Sequence, residues 1–222
     1  LSVGERPVAD LRYWRDCGAD RYLLRFETSD PVLLRTLKPG QRSDSSGRLS
    51  LLRVLRRLGY EIGSGIMVGL PGQTFRSISR DIVLFTTLDL DMIGVGTYIP
   101  HPSTPLGRGV RGRIRISADQ VPNTNLTTLK VVALARLACP EANIPATTAL
   151  ATIDLDGYEK GLMVGANVIM PNLTPLAYRR LYEIYPSPVR IGGGLPQRIT
   201  GVLADVGRWP ARGPGGRVRQ PL

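Results

Sequence analysis

Two periods of apolar residues exchange along this chain, and the exchange predicts most of its elements. Val8, Leu11 and Trp14 form one helical stripe within residues 5–17, which Gly18 stops. The next segment, RYLLRFE (21–27), switches to period two. Tyr22, Leu24 and Phe26 make an apolar face, while Arg21, Leu23, Arg25 and Glu27 make the other. A parallel strand between two helical layers is apolar on both faces, so these charges must look into water or a polar cavity such as a barrel mouth. Thr28 to Pro31 then opens a helix running to Leu37, with Pro31 at its first position. A longer helix over about 48–58 carries Leu49, Leu52, Leu55 and Leu58.

The stretch GSGIMVGLPGQT (63–74) organises the middle of the chain. Alternation puts Gly63, Gly65, Met67 and Gly69 on one face and Ser64, Ile66, Val68 and Leu70 on the other. A strand face without side chains lets something approach its backbone. The expectation is a ligand space on that side; the alternative is a tightly packed glycine strand with Met67 as core filler. A helix over about 73–88 follows, with Phe75, Ile78, Ile82 and Phe85 at helical spacing. Strand 91–96 repeats the sparse pattern and runs into the proline-rich loop 99–105, where His101 reads as a loop-shaping residue. Helix 124–138 carries Leu126, Leu129, Ala133 and Leu137. A strand over 143–150, a short helix over 157–164, a strand over 167–170 and a helix over 175–185 complete the pattern. Five strands, each followed by a helix, predict a parallel α/β fold with its ligand at the carboxyl ends of the strands.

Composition narrows the class. At 222 residues, 42% hydrophobic and 21% charged, the chain can bury a core of its own. No apolar run reaches the roughly 18 residues needed to cross a membrane, and no signal-peptide pattern opens the sequence. Cys17 and Cys139 lie far apart and form no metal-spaced motif, which fits a reducing cytoplasm. The net charge of +11 is nearly all arginine, much of it in the stretches 108–115 and 190–219. Without interleaved aromatics these read as solvated loop and tail, arguing against a nucleic-acid role. GxxxxGK[ST] is absent.

Several segments together resemble a known family: RYLLRFET (21–28), MVGLPGQT (67–74), IPHP (99–102), NIPATTA (143–149) and NVIMPN (167–172). In order and spacing they are similar to the radical-SAM maturases of the iron-iron hydrogenase H-cluster, within the biotin-synthase-like group that includes methylornithine synthase. The resemblance runs over about residues 5–186. It implies a TIM-type (β/α)8 barrel of which this chain supplies only the later strands, with residues 187–222 as a Gly-, Pro- and Arg-rich tail expected to be poorly ordered. It also implies S-adenosylmethionine as cofactor and, in complete members, a 4Fe–4S cluster held by a Cys-x3-Cys-x2-Cys loop. That loop is absent here, and two cysteines cannot supply three thiolates. The chain is therefore expected to be N-terminally incomplete, and inactive alone. The alternatives are another enzyme of the group, such as methylornithine synthase, or a remnant binding a small anionic ligand.

By the same resemblance, Glu27 and Arg48 are S-adenosylmethionine contacts, with Arg25 beside Glu27 and with Met67 and Met92 near the adenosine. The chemistry agrees: the ligand's α-amino group wants a carboxylate and its α-carboxylate wants a guanidinium fork. The alternative for Arg25 and Glu27 is a structural ion pair. Arg21, Thr147, Thr148, Ala149, Met170, Tyr182 and Tyr185 match the family's inner cavity, where the 5′-deoxyadenosyl radical meets a small sulfur- or carboxylate-bearing substrate. No protein metal ligand is expected, and other hydrogenase maturation proteins are the expected partners.

Overall fold

The computed structural model describes residues 1–37, 45–108, 114, 116–170, 174–179 and 195–217. Helix α1 (Val8–Asp16) precedes strand β1 (Arg21–Leu23), and α2 (Pro31–Leu37) and α3 (Ser45–Arg57) lead to β2 (Glu61–Val68). Then come α4 (Phe75–Thr87), β3 (Met92–Thr97), α5 (Asn125–Ala138) and β4 (Pro145–Ala146). Helices α6 (Thr148–Ile153) and α7 (Gly157–Met163) precede β5 (Val168–Ile169), with α8 (Leu176–Arg179) and α9 (Leu195–Asp205) beyond it.

Every strand pairing is parallel. Strands β1, β2 and β3 form one sheet in chain order, and β4 and β5 form another. A parallel bridge from Met92 to Asn143 joins the two. Consecutive parallel strands with helices between them are the wall of a (β/α) barrel, and the described strands do not close it. The apolar face expected of 21–27 is the packed one: Tyr22, Leu24 and Phe26 are all buried. So are Ile62, Ile66 and Val68 beside it in β2.

Several expectations from periodicity need correction. Only Pro145–Ala146 of the predicted strand 143–150 is strand; Thr148 already opens α6, because a short run of Thr and Ala suits either state. The ladder of β1 ends early, since Glu27 takes a left-handed φ of 65° and keeps only a bridge to Ile66. In α5 the buried stripe is Thr128, Val131, Val132 and Ala135, leaving Leu126 and Leu137 63% and 79% exposed. Thr128 can be buried because its hydroxyl lies 2.8 Å from that of Thr97 and donates to Thr124 O. In α4 the buried residues are Ser77, Ile78, Asp81 and Phe85, and Phe75 faces out.

The bare face of β2 borders protein rather than open space. A Cβ on Gly65 would stand 2.0 Å from Gly94 O, and one on Gly69, whose φ is +86°, 2.3 Å from Asn123 Cα. Gly96 on β3 has room: a Cβ there would meet Arg25 at an ordinary 3.8 Å.

Residues 214–217 pass beneath the amino ends of the strands. Arg21 donates to Pro214 O at 2.9 Å and pairs with Glu61 at 2.7 Å, and Asn143 donates to Gly215 O at 3.0 Å. Arg217 pairs with Asp89 at 2.6 Å and Glu141 at 3.0 Å. The predicted boundary near 186 lies outside the described residues.

Candidate functional site

Where β1 leaves the ladder, four of the expected ligand contacts come together. Arg25 donates to Ile66 O at 2.5 Å and stands 3.4 Å from Glu27 Oε2. Arg48, at the start of α3, donates to Arg25 O at 2.8 Å and pairs through Nε with Glu5 at 2.7 Å. The Met67 N–H donates to the backbone Glu27 O at 3.2 Å. All four residues are half-buried, at the carboxyl ends of β1 and β2 or facing them. Oε2 of Glu27 and Nε of Arg25 are buried atoms without a hydrogen-bond partner.

An unsatisfied carboxylate oxygen beside a guanidinium nitrogen fits a zwitterion. An ammonium donated to Oε2 would complete Glu27. A carboxylate could take the Arg48 nitrogen that neither Glu5 nor Arg25 O occupies. The residues present therefore suit the amino-acid end of S-adenosylmethionine. They do not suit an iron–sulfur cluster: Cys17 and Cys139 are single thiols, and no group of three metal-ligating side chains occurs among the described residues.

The other expected residues lie elsewhere. Thr147, Thr148 and Ala149 turn from β4 into α6; the Thr147 hydroxyl donates to Val95 O at 3.4 Å, and Ala149 is buried. Met170 follows β5, is 45% exposed, and its carbonyl accepts from the Tyr158 hydroxyl at 3.3 Å. Arg21 and Met92 sit at the opposite, amino ends of their strands. They line a 560 Å³ cleft with Leu1, Glu61, Asn143 and Gly215. At about 3.3 Å per residue, Arg21 is on the order of 20 Å along the chain from Glu27. Tyr182 and Tyr185 lie outside the described residues.

Sequence patterning missed the residues that fix this end of the barrel. Gln73 is fully buried; its Oε1 accepts from Gly69 N at 2.7 Å and Leu70 N at 3.1 Å, and its Nε2 donates to Met67 O at 2.8 Å. Gln120 closes the same turn, accepting from Gly72 N at 2.7 Å and donating to Leu70 O at 3.0 Å. The LPGQT segment is thus an architectural lock that sets where α4 begins. Asp81, on the buried face of α4, accepts from Ser29 N at 2.7 Å. Burial pushes its carboxyl up to about 7, against the pull of Ser29. Only an acid sitting in the apolar stripe of a helix could have signalled it.

Parallel strands in sequential order with helices between them define a piece of a (β/α) barrel, and the comparisons below place it among radical-SAM enzymes. Methylornithine synthase (PylB) superposes with a TM-score of 0.70 at 28% identity, covering 95% of this chain and 58% of that one. HydG, a maturase of the iron-iron hydrogenase, shares the fold at a TM-score of 0.58 and 17% identity. By sequence the chain is 45% identical over 222 residues to the iron-iron hydrogenase maturase subunit HydE of Thermotoga maritima. It is 34% identical over 175 residues to 3-methylornithine synthase of Methanosarcina barkeri. No protein-family model matches. The chain belongs to the radical-SAM family of the HydE hydrogenase maturase. It covers 60% of the length of that HydE and 45% of that synthase.

Proposed function

We propose that this chain forms the S-adenosylmethionine-binding and substrate-facing part of a hydrogenase maturase. Glu27 takes the ligand's α-amino group, Arg48 takes its α-carboxylate, Arg25 holds Glu27 in place, and Met67 packs beside the adenosine. The observation that carries the reading is the buried Oε2 of Glu27, which accepts no hydrogen bond and has only the Arg25 guanidinium, 3.4 Å away, beside it. Thr147, Thr148, Ala149 and Met170 border the space for a small sulfur- or carboxylate-bearing substrate. Arg21 and Met92 line the cleft at the amino ends of their strands instead. In this class, S-adenosylmethionine on a 4Fe–4S cluster supplies a 5′-deoxyadenosyl radical. With Cys17 and Cys139 as its only cysteines, this chain alone holds no such cluster and does not catalyse that step. Its partners are other hydrogenase maturation proteins, and its compartment is the cytoplasm.

Titrating S-adenosylmethionine into the chain by calorimetry tests the reading. Glu27→Gln should weaken binding on the order of thirtyfold, because removing one partner of a desolvated pair costs about 2 kcal/mol or more. A folded Glu27→Gln variant with unchanged affinity would reduce Glu27 to the structural partner of Arg25. A second reading, a methylornithine synthase-like enzyme, draws on the 0.70 TM-score with PylB. It keeps the same cofactor contacts and differs in the substrate taken.

A further inference from the structure

Glu27 occupies an awkward backbone position. Its φ of 65° lies in the left-handed region that a residue with a Cβ adopts at a cost, so the surrounding structure must impose it. The chain on its amino side is pinned by ladder contacts: Leu24 N donates to Gly63 O and Glu27 N to Gly65 O, at 2.9 and 3.0 Å. On its carboxyl side the chain folds back at once, with Thr28 N donating to Phe26 O at 2.8 Å. It then enters α2, which Asp30 caps by accepting from Val32 N and Leu33 N.

One helix holds both flanks of this turn. The Phe85 ring of α4 packs against the Phe26 ring, their centroids 6.0 Å apart. One turn earlier, Asp81 Oδ1 receives the Ser29 N–H at 2.7 Å. Asp81 has no exposure to solvent, and its Oδ2 and the Ser29 hydroxyl oxygen are buried without hydrogen-bond partners. A buried carboxylate left half-satisfied is an expensive way to stabilise a fold. An apolar residue in the α4 stripe would serve packing better, so the carboxylate has another task.

We propose that Asp81 is the positioning residue for the cofactor-binding glutamate: by anchoring Ser29 it fixes the 27–30 turn in the one conformation that aims Glu27 Oε2 at the ligand's ammonium. The inference rests on the reading that Glu27 binds the amino group of S-adenosylmethionine. It gives the GLPGQT lock a function as well. Gln73 and Gln120 set where α4 starts, α4 sets where Asp81 stands, and Asp81 sets the turn.

The test uses the chain with three substitutions. Asp81→Leu removes the acceptor and keeps the side chain's approximate size in an apolar stripe. Asp81→Asn keeps an acceptor oxygen for Ser29 N. Glu27→Gln serves as the reference for the reading beneath. Affinity for S-adenosylmethionine is read by calorimetry, the turn by amide hydrogen exchange at residues 27–30 without ligand, and folding by thermal midpoint. Asp81→Leu should accelerate exchange in the turn and lower affinity at least tenfold, while Asp81→Asn stays within about threefold of the parent. A folded Asp81→Leu protein that binds like the parent while Glu27→Gln binds weakly overturns the positioning role alone. If Glu27→Gln also binds like the parent, or the parent binds no S-adenosylmethionine, the reading of Glu27 fails and takes the inference with it. Should Asp81→Leu not fold, Asp81→Asn decides by exchange: a turn loosened as much as in Glu27→Gln or more, with affinity intact, overturns the proposal.

Discussion

At the scale of single residues, the costs sit where the ligand is proposed to bind. Asp81 is a carboxyl that burial has pushed from an ordinary 3.8 up to about 7; Ser29 and Arg80 pull it down and Asp30 pushes it further up. Between those two values the folded protein binds more protons than the unfolded one, so this group makes stability fall as pH rises from about 4 to about 7. At about 1.4 kcal/mol per unit the full effect is on the order of 4 kcal/mol. Asp81→Asn removes it. The gain in thermal midpoint of Asp81→Asn over the parent should therefore grow with pH across that window and level off above it. A difference independent of pH, measured from pH 4 to 8, would show that Asp81 stays ionised throughout. Gln73 is the neutral counterpart: Gln73→Leu strands two buried N–H groups and one carbonyl. Each stranded group costs about 1–3 kcal/mol, and denaturant titration should register the sum as one of the largest losses in the chain.

At the scale of elements, α5 separates periodicity from burial. Its leucines recur at helical spacing, yet Leu137 is 79% exposed and Val132 is fully buried. Substituting each by alanine should give opposite results: a change within about 0.5 kcal/mol at Leu137 and a loss of about 2 kcal/mol at Val132. Equal losses in chemical denaturation would mean that the outer face of α5 is covered. Small and β-branched residues face the sheet because Thr128, in the same stripe, meets Thr97 hydroxyl to hydroxyl. Such a contact draws the helix too close for leucine.

For the molecule as a whole, the strand order makes a wall and residues 214–217 tie its lower rim. Arg217 gathers Asp89 and Glu141 and lies 3.9 Å from Asp91, which is itself held by Arg56 at 2.7 Å. Arg217→Ala should release the segment at a cost of about 1–2 kcal/mol, because most of these groups still reach water. Trypsin should then cut sooner after Arg208 and Arg212, both ahead of the tie in sequence. Unchanged cleavage in a timed digest would place the anchor at Arg21 and Asn143 instead. No helix among the described residues is long and apolar enough to cross a membrane.

The sequence by itself determined most of the order of strands and helices, though not α6, together with the parallel sense of the sheet and the family. Alternation at 21–27 and 61–68, the helix opening at Thr28–Pro31 and the quoted motifs are local, and local physics suffices to read them. It also put Arg25 beside Glu27, and the structure shows them 3.4 Å apart. Tertiary structure alone decided which side of α4 and α5 is inward, and that Gly65 and Gly69 make room for backbone rather than ligand. It alone brought Arg48 to Arg25 O and Asp81 to Ser29, 23 and 52 positions apart. Those outcomes depend on how closely two backbones approach and which buried group finds a partner. Both are properties of pairs of segments, and no single segment carries them in its own pattern.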